Sequence, residues 1–416
     1  MRSPLKVIIL GAGTGGLCLA QGLKANGIEV EVYERDSTPT DRIQGYRLSI
    51  NAQGSRALRA CLPPALYDRL IRGAAQPSES VTFIDHRSAR LLELDLTRNP
   101  AGPGDREWPV SRTVLRSVLL TGLGSIVHFG KIGTAFSEST DGQITLHFDD
   151  GSAVTADVLV GADGASSHLR TQLLPDAQRL TTDIVAVSGK FALNDRSLAE
   201  VPRPIMRGPT LALGPRGCFL FANAVLYRNH SGVGDQQHEP DYVMWGFSAH
   251  REEFAFSGPL DSVTNHSAKS RVVQLMDQWD PALRHLVELA ELATMTTFPV
   301  KTSVPIAAWP TRKVTLLGDA IHNMTPFRGN GANTALRDAH LLLQGLIRVS
   351  RGETELLAAL ASYERDMIQY GFYAVQTSLK DMRRFHGRNP LARGATKAVF
   401  RMVDKIPPLK SLFLGR

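Results

Sequence analysis

The chain contains few cysteines and no long apolar run. Cys18, Cys61 and Cys218 are the only cysteines in 416 residues, and none belongs to a CxxC pair. This pattern argues against a disulfide scaffold, a dithiol reductase or a zinc site, so we expect no metal centre and a reducing, cytoplasmic location. No stretch of about 18 uninterrupted apolar residues is present, so a transmembrane helix is not expected.

The positive charge of the chain is concentrated at one end. The formal net charge is +7, whereas residues 380–416 alone carry ten lysines or arginines against two aspartates. Apolar residues such as Leu391, Val399 and Met402 are interleaved with these charges, which predicts one or more amphipathic C-terminal helices. We expect a packing helix with a solvated basic face, and a peripheral membrane contact is the alternative. Nucleic acid is not expected, because no known binding motif accompanies the charge.

A glycine motif follows the first predicted strand. Residues 5–16 read LKVIILGAGTGG, and a helical pattern follows. In this context Gly11 allows a tight turn, Gly13 allows the backbone to approach a pyrophosphate, and Gly16 allows the helix to pack on the strand. The motif predicts dinucleotide binding, but it does not separate FAD from NAD.

A second strand, IEVEVYE, places an acidic residue next to this motif. It ends in Glu34, at the distance along the chain where a carboxylate reaches an adenosine ribose diol. Arg35 follows directly, either as a contact on the adenine side or as a solvated side chain. Glu34 is therefore a candidate cofactor ligand.

Near the other end, residues 314–340 combine a strand, an acid and a glycine-rich loop. The apolar segment VTLLG predicts an interior strand that delivers Asp319 at its carboxyl edge, where open α/β sheets bind ligands. Helical spacing begins after the loop, so the amides of Gly331, Ala332 and Asn333 are expected at a helix N-terminus. Such an end favours negative charge.

A third strand, within residues 154–170, ends in Asp163-Gly164. Along the chain the order is the glycine motif, Asp163-Gly164 and then Gly318-Asp319. Motifs in this order resemble the group A flavoprotein monooxygenases, the p-hydroxybenzoate hydroxylase-like family. The resemblance covers the whole chain and implies an α/β fold. The implied fold has a Rossmann-like FAD-binding domain, an inserted antiparallel-sheet substrate domain and a C-terminal helical region.

The domain bounds follow from this resemblance and from the strand pattern. We expect a discontinuous FAD-binding domain at residues 1–77, 99–180 and 296–350, and a C-terminal helical region at 351–416. The substrate domain is predicted at 78–98 and 181–295. Its strand-like segments lack crossover helices, which favours antiparallel pairing.

The resemblance also implies further cofactor contacts. Asp319 is expected to accept from the ribityl hydroxyls, and Asp163 either contacts the cofactor or braces the surrounding loops. Arg112 opens a predicted helix as an FAD contact or a surface cap. Gly45 and Arg47 belong to a segment that the family places beneath the flavin ring, although this segment could simply form the crossing strand.

Substrate and catalytic candidates are less specific. The resemblance implies that Pro326 belongs to a loop beside the reacting edge of the flavin, where it would act through shape, unless it is an ordinary rigid turn. Arg207 either steers an anionic phenolate or occupies a surface turn, and His322 is expected to be structural. The substrate candidates are aromatic or polar strand residues that could equally be core: Phe219, Phe221, Asn223, Trp245 and Phe247.

The implied activity is hydroxylation of an aromatic or polyketide-like small molecule by O2 through a flavin C4a-hydroperoxide, in secondary metabolism. NAD(P)H would bind transiently, because the chain lacks a second GxGxxG motif. Baeyer-Villiger or epoxidation chemistry is the alternative on the same scaffold, and a halogenase is disfavoured because WxWxIP is absent. A non-enzymatic nucleotide-fold binding protein is a further alternative, against which the 319–333 loop argues.

Overall fold

The computed structural model describes residues 4–41, 46–97, 107–227 and 240–413, with side chains described as far as Lys410. The strands of this part of the chain are β1 (Lys6–Leu10), β2 (Glu29–Glu34), β3 (Arg47–Ile50), β4 (Ser80–Asp85), β5 (Arg90–Asp95), β6 (Trp108–Ser111), β7 (Val127–Phe129), β8 (Gly133–Glu138), β9 (Ile144–Phe148), β10 (Ala153–Ala156), β11 (Val158–Gly161), β12 (Arg179–Ala192), β13 (Thr210–Leu213), β14 (Phe219–Val225), β15 (Tyr242–His250), β16 (Thr296–Ser303) and β17 (Val314–Leu316).

The α-helices of the same residues are α1 (Thr14–Ala25), α2 (Ala52–Cys61), α3 (Pro64–Arg72), α4 (Arg112–Leu120), α5 (His168–Leu173), α6 (Asp195–Glu200), α7 (Arg203–Arg207), α8 (Arg251–Phe254), α9 (Asn265–Leu275), α10 (Pro281–Glu288), α11 (Asp319–His322), α12 (Gly331–Ser350), α13 (Leu356–Phe385), α14 (Pro390–Lys405) and α15 (Pro407–Phe413). Short 3-10 turns occur at Pro215–Gly217, Leu260–Ser262, Leu292–Thr294 and Pro326–Arg328.

The chain divides into two compact, discontinuous units. The first comprises residues 1–74, 102–180 and 301–379, and the second comprises residues 75–101, 181–300 and 380–416. These bounds lie close to those predicted for the cofactor and substrate domains. They differ for the predicted helical region 351–416, which is divided between the units, because the 30-residue α13 starts in one and ends in the other.

The first unit is built on a parallel sheet in the order β17-β11-β1-β2-β7. Its central strands are almost entirely buried, as expected for a sheet that is covered on both faces. Helices α1 and α12 pack against each other, and the core of this unit surrounds β1 and α1. Because the strands are parallel, the residues that follow them meet at one carboxyl edge.

The second unit contains a seven-stranded sheet in the order β16-β12-β15-β14-β13-β4-β5. The pairs β12–β15, β15–β14, β14–β13 and β4–β5 are antiparallel as predicted, whereas β13 and β4 are parallel, with Thr210 opposite Thr82. Helices α9 and α10, which the sequence did not reveal, contribute Val272, Leu283 and Leu286 to the core. The inserted antiparallel-sheet domain is therefore confirmed, with this local change in topology.

The basic C-terminal segment of the second unit is helical, as predicted. Helix α14 packs on β5, and its side chains Phe400 and Val403 are buried. Phe400 contacts Phe83 of β4, with ring centroids 4.8 Å apart. Within residues 4–41, 46–97, 107–227 and 240–413, no helix combines the length and apolar character needed to span a bilayer.

Candidate functional site

The predicted cofactor residues of the first unit converge on the carboxyl edge of its parallel sheet. The order of the strands places Asp319 after β17, Asp163 after β11, the glycine loop after β1 and Glu34 at the end of β2. Neighbouring strands are about 4.8 Å apart, so these four features form a row of roughly 15 Å. The row has a length suited to an extended ligand.

The glycine loop combines a strained turn with an open surface. Gly11 has φ +110°, and a Cβ atom there would lie 2.3 Å from the Ala162 carbonyl oxygen. At Gly13, by contrast, the nearest atom to an added Cβ is 4.0 Å away. Gly13 is the N-cap of α1, and no described side chain caps this helix or places an acid in its first turn. The first amides of α1 therefore remain available to an anion.

Arg116 supports this loop from α4, a contact that the sequence did not suggest. Its guanidinium donates to the Ala12 carbonyl at 2.5 Å and to the Pro39 carbonyl at 3.1 Å, and it lies 3.8 Å from the Asp36 carboxylate. These contacts join the first turn after β1 to the segment that follows β2. Arg116 is therefore a positioning residue for the loop.

Glu34 is buried beside the same loop. One carboxylate oxygen accepts from the Ala12 amide at 2.7 Å, and the other accepts from the Asp36 amide at 3.1 Å. A carboxylate oxygen has two acceptor positions, so each retains capacity for a further donor. Arg35 is exposed directly after Glu34, as its predicted position requires.

Asp163 has one oxygen in use and one without a partner. Its Oδ2 accepts from the His168 amide at 3.1 Å, whereas Oδ1 is buried and meets no donor among the described residues. Burial raises the pKa of this carboxyl, and the hydrogen bond from the His168 amide opposes the shift. Arg170 donates to the carbonyls of Ala165 and Ala320 at 3.1 and 2.9 Å, which ties the Asp163 loop to the Asp319 loop.

Asp319 and Arg112 of the first unit influence each other electrostatically. Both side chains are exposed to solvent. Desolvation nevertheless lowers the pKa of Arg112, and the negative charge of Asp319 opposes this shift. The pKa of Arg179 is lowered in the same way, again with Asp319 opposing. The negative charge of Asp319 therefore acts on two guanidinium groups.

The N-terminus of α12 is held in place by a side chain of its own first turn. Asn333 is buried; its Oδ1 accepts from the Asn51 amide at 3.0 Å, and its Nδ2 donates to the Ser49 carbonyl at 2.8 Å. No described side chain caps α12, so the amides near Gly331 and Ala332 have no side-chain acceptor at the helix N-cap. The Asn333 side chain thus positions these amides against the β3–α2 junction.

A buried polar network lies behind the Asp319 loop. Asp338 Oδ2 accepts from the Gly318 amide and from His322 Nε2, both at 2.7 Å, and Oδ1 accepts from Tyr370 Oη at 2.6 Å. Burial opposes protonation of His322, but the adjacent Asp338 raises its pKa above the ordinary value. His322 is therefore structural, as expected. Asp338 was missed, although a charge between the apolar Leu336 and Ala339 is a signal for a buried partner.

Three other predicted residues of the first unit have different outcomes. Arg47 is buried, donates to Ser49 Oγ at 2.6 Å and lies 3.9 Å from the Glu107 carboxylate. Pro326 is exposed at the start of a 3-10 turn between Asp319 and α12, as the predicted loop position requires. Gly45 lies outside the described residues.

The burial of Trp245 and Phe247 corrects part of the prediction for the substrate contacts of the second unit. Phe219, Phe221 and Asn223 alternate along one face of β14, as expected. Trp245 and Phe247 lie opposite Ala222 and Leu220 on β15 and are fully buried in the core beneath α9 and α10. Both faces of β15 carry bulky residues, so alternation alone did not show which face the helices cover.

Within the first group, the environments also differ. Phe219 is buried and stacks on Phe385, with ring centroids 5.0 Å apart. Phe221 is half-buried. Asn223 is buried, and its Nδ2 donates to the Ala224 carbonyl at 2.8 Å, whereas its Oδ1 has no donor among the described residues. Asn223 therefore offers an acceptor that a ligand could use.

Arg207 requires a second correction. Its guanidinium contacts Glu79 at 3.1 Å and Glu93 at 2.6 Å on the surface of the second unit. Two carboxylates neutralise its charge, and they raise its pKa. Arg207 stabilises the local packing of α7 with β4 and β5 and is not available to steer a phenolate.

The described residues contain no cluster of three or more His, Cys, Asp or Glu side chains that could hold a metal ion. The three cysteines are free and buried. The chemistry of the candidate site thus comes from amides, carboxylates and guanidinium groups.

A comparison with protein families identifies the family of this chain. A family model described as an FAD binding domain matches residues 4–192 and 221–378, which is most of the chain. The chain belongs to the FAD-binding domain family. The resemblance to group A flavoprotein monooxygenases and the prediction of FAD as cofactor are thereby confirmed.

One curated relative and two solved structures are similar to this chain. A dual O-methyltransferase/FAD-dependent monooxygenase of Phaeosphaeria nodorum is 33% identical over 81% of this chain and 40% of its own length. A candidate FAD-containing monooxygenase from Photorhabdus luminescens is 31% identical, with a TM-score of 0.82 over 93% of this chain and 100% of that chain. The structure of HpxO from Klebsiella pneumoniae with FAD and uric acid is 24% identical, with a TM-score of 0.81 over 100% and 98%.

At 24% identity, the match to HpxO shows a similarity of fold alone. The chain spans about two fifths of the length of three fungal dual-function relatives. The residues of this FAD-binding domain also fit the cofactor: a surface that is open at Gly13, the unpartnered Asp163 Oδ1 and two uncapped helix N-termini lie along one sheet edge.

Proposed function

We propose that this chain is an FAD-dependent, NAD(P)H-using monooxygenase that hydroxylates an aromatic or polyketide-like small molecule with O2. The convergence of the glycine loop, Glu34, Asp163 and Asp319 at one sheet edge is the observation that carries this proposal. These features are spread over more than three hundred residues of sequence, so their meeting reflects one elongated site.

Different residues of the first unit bind different parts of FAD. The amides at the start of α1, reached through Gly13, bind the pyrophosphate, and Glu34 accepts from the ribose hydroxyls. Asp319 accepts from the ribityl chain, and the free oxygen of Asp163 takes a further donor. Arg112 supplies a positive charge that interacts with Asp319. Arg35, Arg47 and Gly45 are proposed as peripheral contacts.

FAD, when bound, accepts hydride from NAD(P)H and activates O2. The chain's own contribution is electrostatic and steric. The amides of Gly331, Ala332 and Asn333 stabilise negative charge near the ring without reorganising, because Asn333 already fixes their position. Pro326 is rigid and has no ionisable group, so it shapes the site and helps to exclude water.

The substrate is proposed to be aromatic and oxygenated. Phe221 and Asn223 on β14 combine a half-buried ring with an unsatisfied acceptor, which suits a ring that bears a hydroxyl group. HpxO, a structural neighbour, was solved with uric acid, a planar oxygenated heterocycle. The Phaeosphaeria nodorum relative pairs its monooxygenase with an O-methyltransferase, an enzyme that requires a hydroxyl acceptor.

The reaction type is tested with isotopic oxygen. NAD(P)H oxidation should be slow without substrate and should be stimulated when an aromatic substrate is added. Under oxygen-18 gas the product should gain one labelled atom, as mass spectrometry will show. Product oxygen derived from water, or unchanged turnover without O2, would contradict a monooxygenase. A purified protein without flavin absorbance would point instead to a non-enzymatic nucleotide-fold protein.

The cofactor assignment is tested with two acidic residues in different settings. We expect Asp319→Ala to weaken FAD binding roughly tenfold to hundredfold, the value of a lost charge-assisted hydrogen bond, and to leave the melting temperature of the apoprotein unchanged, because the side chain is exposed. Glu34→Ala should weaken FAD binding similarly and should also lower the melting temperature, because two amides lose their acceptor.

Flavin fluorescence titration and calorimetry of the apoprotein measure the two effects. Asp149→Ala is the matched control, since Asp149 is an exposed acid on the turn between β9 and β10. Stoichiometric FAD in both Asp319→Ala and Glu34→Ala after gel filtration would refute the assignment.

A further inference from the structure

Helix α14 has an unusual distribution of side chains. Leu391, Val399 and Met402 are large apolar residues with 84%, 45% and 51% of their surface exposed, and Ile406 at the helix end is 39% exposed. Together with the exposed Ala395 and Ala398, they form an apolar strip at helical spacing. Contiguous exposed apolar surface of this kind marks an interaction site.

The orientation of this helix is fixed, so the strip does not turn inward. Phe400 and Val403 are buried on the opposite side. Arg393 also faces inward: its guanidinium donates to the carbonyls of Gly387 at 2.8 Å and Phe385 at 3.3 Å, and to the Gly214 carbonyl. Asp404 accepts from the Glu93 amide at 3.0 Å and contacts Lys410 at 2.7 Å. The apolar strip is therefore presented to the outside.

The charged residues beside the strip indicate what kind of surface binds to it. Arg401 and Lys405 are exposed one turn apart along one border of the strip. The one acid of α14, Asp404, is already occupied by Lys410 and Arg90. Lys380, Arg383 and Arg384 add exposed positive charge just before this helix. An apolar strip with cationic side chains along its border matches an anionic lipid surface, where the apolar residues enter the acyl boundary and the long basic side chains reach the head groups.

We propose that α14 is a peripheral membrane-docking helix that binds anionic phospholipid through the strip Leu391, Ala395, Ala398, Val399, Met402 and Ile406. The helix is 16 residues long, enough to lie flat along a bilayer over about 24 Å. This inference does not depend on the proposed reaction, because the strip belongs to the second unit and involves no predicted flavin contact.

Vesicle flotation of the full chain tests this proposal. The protein should float with phosphatidylcholine vesicles that contain about one third phosphatidylserine and should not float with pure phosphatidylcholine vesicles. The double variant Leu391→Asp/Met402→Asp should weaken binding about tenfold or more, because both exposed side chains leave the apolar boundary. Lys405→Glu should weaken binding roughly fivefold or more. Leu198→Asp is the control, since Leu198 is 50% exposed on α6 of the same unit.

The FAD content and melting temperature of every variant should match those of the unmodified chain in the absence of vesicles, which separates lost docking from misfolding. Absence of binding to the phosphatidylserine vesicles would overturn the proposal, as would equal binding by the double variant. A dimer seen by light scattering that the double variant abolishes, without vesicle binding, would assign the strip to a second copy of the chain and would also overturn it.

Discussion

Gly13→Asp is expected to abolish FAD binding while making the apoprotein slightly more stable. The backbone at Gly13 is extended, with φ −76° and ψ −179°, which any residue adopts, and an added Cβ meets no atom closer than 4.0 Å. Aspartate is a favoured N-cap, so it should stabilise α1 by up to about 1 kcal/mol. The same carboxylate occupies the amides needed by the pyrophosphate and repels its charge. FAD affinity should therefore fall roughly a hundredfold or more.

The two effects have opposite signs, so general damage to the fold cannot produce both. Isothermal titration with FAD and thermal unfolding of the apoprotein measure them separately. Gly13→Asn caps the helix without adding charge and should lose less affinity than Gly13→Asp. Gly124→Asp is a control, because Gly124 precedes β7 and so lies at the amino ends of the strands, away from the carboxyl edge. An added Cβ at Gly124 meets nothing within 4 Å. Stoichiometric FAD in Gly13→Asp would disprove this assignment of the pyrophosphate site.

Asp338→Ala is expected to destabilise the first unit by about 3–5 kcal/mol, the usual cost of removing one partner from a buried charged network. The substitution leaves the Gly318 amide, His322 and Tyr370 without their common acceptor. Because the Gly318 amide precedes Asp319, the variant should also retain less FAD. A lower melting temperature together with a lower flavin-to-protein ratio is the expected measurement.

Smaller substitutions in the same network separate its parts. Tyr370→Phe removes one donor and leaves two, so it should cost only about 1 kcal/mol. Asp338→Asn keeps the shape but turns one acceptor oxygen into a donor group, and its loss of stability should lie between those of the other variants. An unchanged melting temperature for Asp338→Ala would show that Asp338 does not support the loop.

Much of the cofactor edge was predictable from local patterns. Gly11, Gly13, Asp163 and Asp319 each follow an apolar strand, and Glu34 is the last residue of β2. Parallel strands bring their carboxyl ends to one edge whatever the length of chain between them. Strand identity, the direction of each strand and the residue that follows it are local properties. These local properties predict that the residues lie in one row.

The contacts within this row were less predictable. Glu34 was expected to face a ribose, but the structure shows in addition that it accepts from the Ala12 and Asp36 amides. Arg116 and Asp338 were not predicted, because no short motif connects them to their partners. These partners are two carbonyls and a carboxylate for Arg116, and an amide, a histidine and a tyrosine for Asp338. Side-chain hydrogen bonds over such separations depend on the packing of whole helices.

The sequence by itself determined the parallel sheet, the glycine turn, the acids at its edge and the helical, basic C-terminal segment, because each depends on residues within one or two turns or strands. Tertiary structure alone decided that Trp245 and Phe247 are core, that Arg207 is neutralised by Glu79 and Glu93, and that α14 turns its apolar strip outward. The physical reason is that the burial of a face depends on which distant element covers it. A local sequence pattern does not show which element that is.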